Sequence, residues 1–233
     1  MFLTKSNANE ILGVKDYTKE KHLVVPEGVT GIDNHVFYDC TSLESIIIPD
    51  SVTYICDDTF SYCTSLKSVT IPNSVTHICD SAFWGCTSLE SIVIPDSVTY
   101  IGNLAFKNCT SLKNINMPDS VEHIGKRAFW NCTSLESIVI PDSVTYICES
   151  AFEECISLKN ITIPDSVTHI CDCAFWGCTS LENITMPDSV EYIGDCAFDM
   201  CDNLKSISIS KKTKASDYTF ANCPAEIIWR ENK

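Results

Sequence analysis

One step of 23 residues governs almost the whole chain. Val29, Val52, Val75, Val98, Val121, Val144, Val167 and Val190 follow it without a slip. So do the phenylalanines from Phe37 to Phe198, the leucines from Leu43 to Leu204 and the prolines from Pro26 to Pro187. A period this strict is the mark of equivalent coils stacked on one another, each touching only its neighbours. A single coil cannot bury its own apolar side, so the coils stand or fall as an array.

The coil from Leu66 to Ser88 reads LKSVTIPNSVTHICDSAFWGCTS. Leu66, Val69 and Ile71 fit a leucine-rich-repeat start, in which a short strand points alternate side chains inward. Pro72 has no N–H to give and ends the strand. Asn73, an aspartate in most coils, suits a turn in which its side chain bonds nearby backbone N–H groups. Val75 and Ile78 return to the core. Asp80 is placed to cap a short helical or 3₁₀ turn carrying Ala82 and Phe83, and Cys86 closes the coil. The predicted fold is a right-handed coil stack with one parallel sheet, and with short helical or 3₁₀ turns and loops opposite. At ~4.8 Å per rung, eight rungs span about 40 Å.

The ends depart from the period. Ile11 to Val14 and Leu23 to Val25 flank the polar stretch KDYTKEK, which predicts a small hairpin whose second strand is the first rung. Phe220 and Cys223 come one position early, and Glu226–Trp229 reads as a closing strand. One domain over 1–233 is expected, with caps at 1–19 and 211–233 around repeats at 20–210.

The phrases SVTYICESAF, CTSLESIVIPDSV and CTSLKSVTIPNSV resemble the BspA-like leucine-rich-repeat family. The resemblance covers roughly residues 20–223. It implies a parallel-stranded solenoid and protein–protein or adhesive binding, often at microbial or protist surfaces. It brings no catalytic residues.

The formal net charge of -15 argues against nucleic acid and anionic membranes as partners. No apolar run reaches the roughly 18 residues of a membrane span. The N-terminus lacks a basic region followed by an apolar one, so no secretory signal is expected and the cytoplasm is the first expectation. A cell-surface or secreted home, as the family often has, is the alternative. The 15 cysteines are then expected as reduced thiols. Nine of them, Cys40, Cys63, Cys86, Cys109, Cys132, Cys155, Cys178, Cys201 and Cys223, form one packing row. Cys56/Cys79, Cys148/Cys171 and Cys173/Cys196 lie one coil apart, within disulfide reach but pointing the same way.

Two outer rows alternate from coil to coil. The residue after each core leucine runs Glu44, Lys67, Glu90, Lys113, Glu136, Lys159, Glu182, Lys205, with Lys21 before them. Another runs Tyr54, His77, Tyr100, His123, Tyr146, His169, Tyr192. These histidines are two rungs, ~10 Å, apart, too far to share a zinc ion. An acidic row, Glu27, Asp50, Asp96, Asp119, Asp142, Asp165 and Asp188, leaves turn chemistry and a weak calcium stripe as alternatives. No metal ligand set, cofactor or catalytic residue is expected, since phosphate-binding, nucleophile-elbow and zinc-protease motifs are all missing.

The expected function is a non-enzymatic scaffold for a protein partner. The alternatives are a structural or self-associating element, such as a homo-oligomer, and a thiol- or metal-dependent sensor. Two surfaces are candidates for docking. One is the outward strand face, with Ile47, Thr70, Val93, Asn116, Val139, Thr162 and Thr185. The other follows each core phenylalanine and carries Tyr38, Trp84, Trp130 and Trp176. These aromatics are expected either to face largely outward or to lie flat over the adjacent coil. The strand face is favoured because other leucine-rich repeats, which this family resembles, bind there.

Overall fold

The computed structural model describes residues 1–231, so residues 232–233 of the expected closing segment lie outside the described residues. The L-x-x-[VI]-x-[IM] start of each coil forms a short strand with its middle side chain inward. Eight such strands, from His22–Val24 through Ser45–Ile47 to Asn183–Thr185, pair in chain order as one parallel sheet. Register is one coil, as in Ser45↔Ser68, Ile46↔Val69 and Ile47↔Thr70. That register keeps every apolar residue facing the same core, because a slip of one residue would invert the face.

A second strand per coil was not foreseen. Gly31–Ile32, Tyr54–Ile55, His77–Ile78 and their equivalents form parallel ladders of two-residue strands. These ladders are not continuous. Pairing is absent between Tyr54–Ile55 and His77–Ile78, and again between His123–Ile124 and Tyr146–Ile147. A hollow of ≈ 450 Å³ opens at the first gap, beside Tyr54, His77 and Tyr100.

The expected helical or 3₁₀ turn around the phenylalanine is replaced by irregular turns. The residue two before each phenylalanine from Phe37 to Phe198 is left-handed, as at Ser81 (φ 56) and Arg127 (φ 56). So is the residue two after it, as at Gly85 (φ 72) and Asn131 (φ 58). Left-handed residues break a helix. They also aim alternate N–H groups across to the next coil. Phe83 N–H donates to Ala105 O at 2.8 Å, and Gly85 N–H donates to Lys107 O at 2.8 Å. Asp80 is not a cap of its own turn. Its carboxylate accepts the N–H of Asn103, one coil on, at 2.8 Å.

The interior is a set of columns. Phe37, Phe60, Phe83, Phe106, Phe129, Phe152, Phe175, Phe198 and Phe220 stack nearly parallel, with centroids 5.2 to 5.5 Å apart. That spacing suits offset rings. The cysteine row is more than packing, because from Cys63 onward each thiol donates back to the preceding coil. Cys86 Sγ reaches Phe60 O at 3.1 Å and Cys109 Sγ reaches Phe83 O at 3.2 Å. Burial pushes these thiols far above their usual range, so they stay protonated and can donate. A serine row does the same at the other corner. Ser97 Oγ donates to Val75 O at 2.6 Å, and Ser166 Oγ to Val144 O at 2.7 Å.

That serine row corrects the turn chemistry expected of the aspartates. Within Pro-Asp-Ser-Val, the valine N–H bonds the proline carbonyl and the serine takes the cross-coil bond. Asp50, Asp96, Asp119, Asp142 and Asp165 are exposed, and their carboxylates accept no hydrogen bond among the described residues.

The expected N-terminal hairpin does not form. Phe2–Leu3 instead pairs in parallel with Gly31–Ile32. Ala8–Ile11 is a short helix and Tyr17–Lys19 a 3₁₀ turn, with Asp16 accepting the Thr18 N–H at 3.2 Å. The first strand, expected at Ile11 to Val14, is replaced by the end of that helix, and within the polar stretch Asp16 starts the 3₁₀ turn and Tyr17 swings inward. Its ring meets Phe37 edge-on at 5.9 Å and covers the end of the phenylalanine column. At the other end Glu226–Arg230 pairs with Ser206–Ser210 in parallel, as the closing strand predicted.

Candidate interaction surfaces

The outward strand face is built by the eight-stranded sheet. Its inward neighbours are fixed in the core, so the alternate side chains must point out. Ile47 (57%), Val93 (74%) and Val139 (71%) are among the most exposed apolar side chains of the molecule. Val24 (62%) extends the row by one rung, which the sequence reading missed because it began the row a coil too late. Thr70, Asn116, Thr162 and Thr185 are exposed between and beyond them. The adjoining row is polar and internally bonded: Ser137 donates to Asn114 at 3.1 Å, and Asn183 to Asn160 at 3.1 Å. The result is a flat surface with aliphatic points on a hydroxyl and amide ground.

The charge row beside this face is tied together at one end. Glu44 accepts from Lys21 at 2.8 Å and from Lys67 at 2.9 Å, and these hydrogen bonds pull its carboxyl down to about 2. Lys113 approaches Glu90 at 4.0 Å, and Glu136, Lys159, Glu182 and Lys205 make no ion pair among the described residues. The tyrosine–histidine row stacks as expected over part of its length. Tyr100 lies on His123 at 4.7 Å and Tyr146 on His169 at 4.8 Å. Partial burial lowers the pKa of His123. No group of three or more His, Cys, Asp or Glu among the described residues is close enough to hold a metal ion.

The tryptophan row is less outward than one of its two expected forms. Trp84, Trp130 and Trp176 are half-buried against neighbouring coils, while Tyr38 is exposed. Trp130 Nε1 donates to Glu154 at 3.3 Å, and Trp176 Nε1 to Asp199 at 3.2 Å. Trp84 Nε1 is buried without a partner, because the next coil offers Lys107 and Asn108 where the others offer acids. The Lys107 ammonium lies between two rings, 4.8 Å from Trp84 and 4.1 Å from Trp130. Its pKa is lowered, first by burial and then by the nearby Arg127. Tyr62 also joins the end of this row, 5.0 Å from Trp84, although it lies outside the repeat's aromatic position.

The pattern of the BspA-type leucine-rich-repeat region matches residues 16–136 and 124–229. The chain belongs to this family. A leucine-rich repeat protein from Bacteroides ovatus is 29% identical, with a TM-score of 0.75 over 90% of this chain and 62% of that one. One from Eubacterium ventriosum is 27% identical, with a TM-score of 0.67 over 80% of this chain and 60% of that one. The T. pallidum leucine-rich repeat protein is 30% identical, with a TM-score of 0.54 over 80% of this chain and 78% of that one. The chain thus spans less than two thirds of the first two structures. No curated protein matches it. Among the described residues no helix is long and apolar enough to cross a membrane.

Proposed function

We propose that this BspA-type chain is a scaffold for a protein partner, which docks across the outward strand face. The observation that carries the reading is the exposed aliphatic row Val24, Ile47, Val93 and Val139 on a rigid sheet. Isolated surface aliphatics need no explanation, but a spaced row on one face is the form an interaction surface takes. Solenoids use such extended surfaces because many coils contribute one or two residues each. The candidate contact residues are Ile47, Thr70, Val93, Asn116, Val139, Thr162 and Thr185. We place the protein in a reducing compartment, where the half-buried thiols of Cys56, Cys79, Cys148, Cys171, Cys173 and Cys196 remain reduced.

A photo-crosslinking residue at Asn116, with a control at Asp165, tests the docking face. A discrete adduct with another protein at Asn116 and none at Asp165 supports the reading. Adducts at Asp165 alone would sink it. Adducts of the chain with itself at Asn116 would favour the self-associating alternative, which the flat polar ground between the aliphatic points also fits.

A further inference from the structure

The tryptophan row holds a lysine between two of its rings and, farther on, an open hollow beside the third. Residues 84, 107 and 130 read Trp-Lys-Trp in successive coils, and the lysine fills the space between the rings. Residues 130, 153 and 176 read Trp-Glu-Trp. Two tryptophans two rungs, ~10 Å, apart again bracket one coil, but that coil brings an acid. Glu153 makes no side-chain hydrogen bond or ion pair among the described residues, and no protein cation stacks on Trp176. Arg127 lies 5.5 Å from the Trp130 ring but is tethered to Glu149 at 3.3 Å.

Beside Trp176 a hollow of ≈ 320 Å³ is lined by Glu154, Ile156, Trp176, Met200 and Asp202 among others. Ile156 (42%) and Met200 (43%) are exposed there. An apolar wall, an aromatic face and two carboxylates in one hollow match a side chain with an aliphatic stem and a cationic head. The chain itself supplies the precedent, since Lys107 fills the space between Trp84 and Trp130 in this row. The net charge of -15 favours the approach of a basic partner.

We propose that the Trp176 slot receives a lysine or arginine side chain from a basic, partly apolar segment of a protein partner. The slot is carried by the phenylalanine turns, a different segment of each coil from the strand face, and does not depend on that face being a docking surface.

The test is fluorescence anisotropy of the full chain with a fluorescein-labelled peptide of alternating lysine and leucine. The indole Nε1–H signals are followed in parallel by NMR. The Trp176 signal should move most, while those of Trp84 and Trp229 stay in place. Asp202→Lys puts a cation on the wall of this hollow and should weaken binding about tenfold. Glu182→Lys makes the same charge change on the exposed row after the core leucines and should cost less than about twofold. Equal weakening by the two lysine variants would overturn the proposal. So would an unmoved Trp176 signal or the absence of saturable binding.

Discussion

Inside the stack, a position carries the same residue in coil after coil, whereas on the surface it commonly alternates. Phenylalanine, cysteine, valine and leucine recur at every 23-residue step within the core. Outside, Glu alternates with Lys, Tyr with His, and Trp with Lys, Glu or Asp. The difference has a physical origin. An interior residue packs on its own equivalents above and below, so a ring must meet a ring and a thiol must find a carbonyl. A surface residue meets water on one side, and its coil neighbours reward complementarity instead: acid against base, or cation against ring. The constraint that holds the fold is therefore uniform, and the features available for recognition come once every two coils.

The largest test of that contrast removes one ring from each region. Phe106→Ala deletes a fully buried member of the phenylalanine column and should cost about 3–5 kcal/mol in chemical denaturation. Tyr146→Ala removes an aromatic that is 48% exposed and should cost less than about 1 kcal/mol. Comparable losses would mean that the inner columns hold no special share of the stability.

Thiol chemistry sharpens the same contrast. Cys86, Cys109, Cys132, Cys155 and Cys178 are wholly buried and protonated, and should resist alkylation until the chain unfolds. Cys79 and Cys173 are half-buried, and burial pushes each up to about 11. Their alkylation should be slow at neutral pH and should rise as pH approaches that value, because only the thiolate attacks. Rapid labelling of the interior row in the folded protein, read by peptide mass mapping, would contradict the arrangement.

Smaller effects come from the surface rows. His123 has a folded pKa below its ordinary value, so its unfolded form binds the proton first. The stability it contributes is complete above pH ~6.5 and declines as pH falls through that value toward the folded one. A His123→Gln variant should flatten this part of the pH profile. Glu44 has the smallest expected effect, being a partly exposed carboxylate between two exposed lysines. Its contribution is present above its unfolded value and is lost as pH falls through about 2. Glu44→Gln should change the denaturation midpoint barely, and not at all in high salt.

The sequence makes the columns legible because their identities never change, and the closing strand because Glu226–Trp229 keeps an apolar pattern after the period slips. The phenylalanine turn was misread as helical for a definite reason. Its first left-handed position is filled by His35, Asp58, Ser81, Leu104, Arg127, Ser150, Cys173 and Cys196, a set with no common chemistry. At the second such position Asp39, Gly85, Asn108, Asn131 and Gly177 suit the conformation, but Tyr62, Glu154 and Met200 interrupt them. The second ladder escaped notice because two residues are too short to show an alternation. The N-terminal segment misled because it does not repeat, so no second copy of Asp16 or Tyr17 exposes their roles. The exposed strand row could be read residue by residue, apart from Val24. The Trp84–Lys107–Trp130 sandwich needed the structure, since the 23-residue step places Lys107 between the rings but does not show that its ammonium turns toward them.

The proposal that the outward strand face captures the partner is tested most directly by two folded triple variants in one capture experiment from the native cell. One changes Ile47, Val93 and Val139 to Lys, and the other changes Trp84, Trp130 and Trp176 to Ala. With circular dichroism confirming both folds, the lysine set should lose the partner and the alanine set should retain most of it. If the lysine set captures it normally while the alanine set does not, the partner docks on the tryptophan row and the strand-face account is wrong.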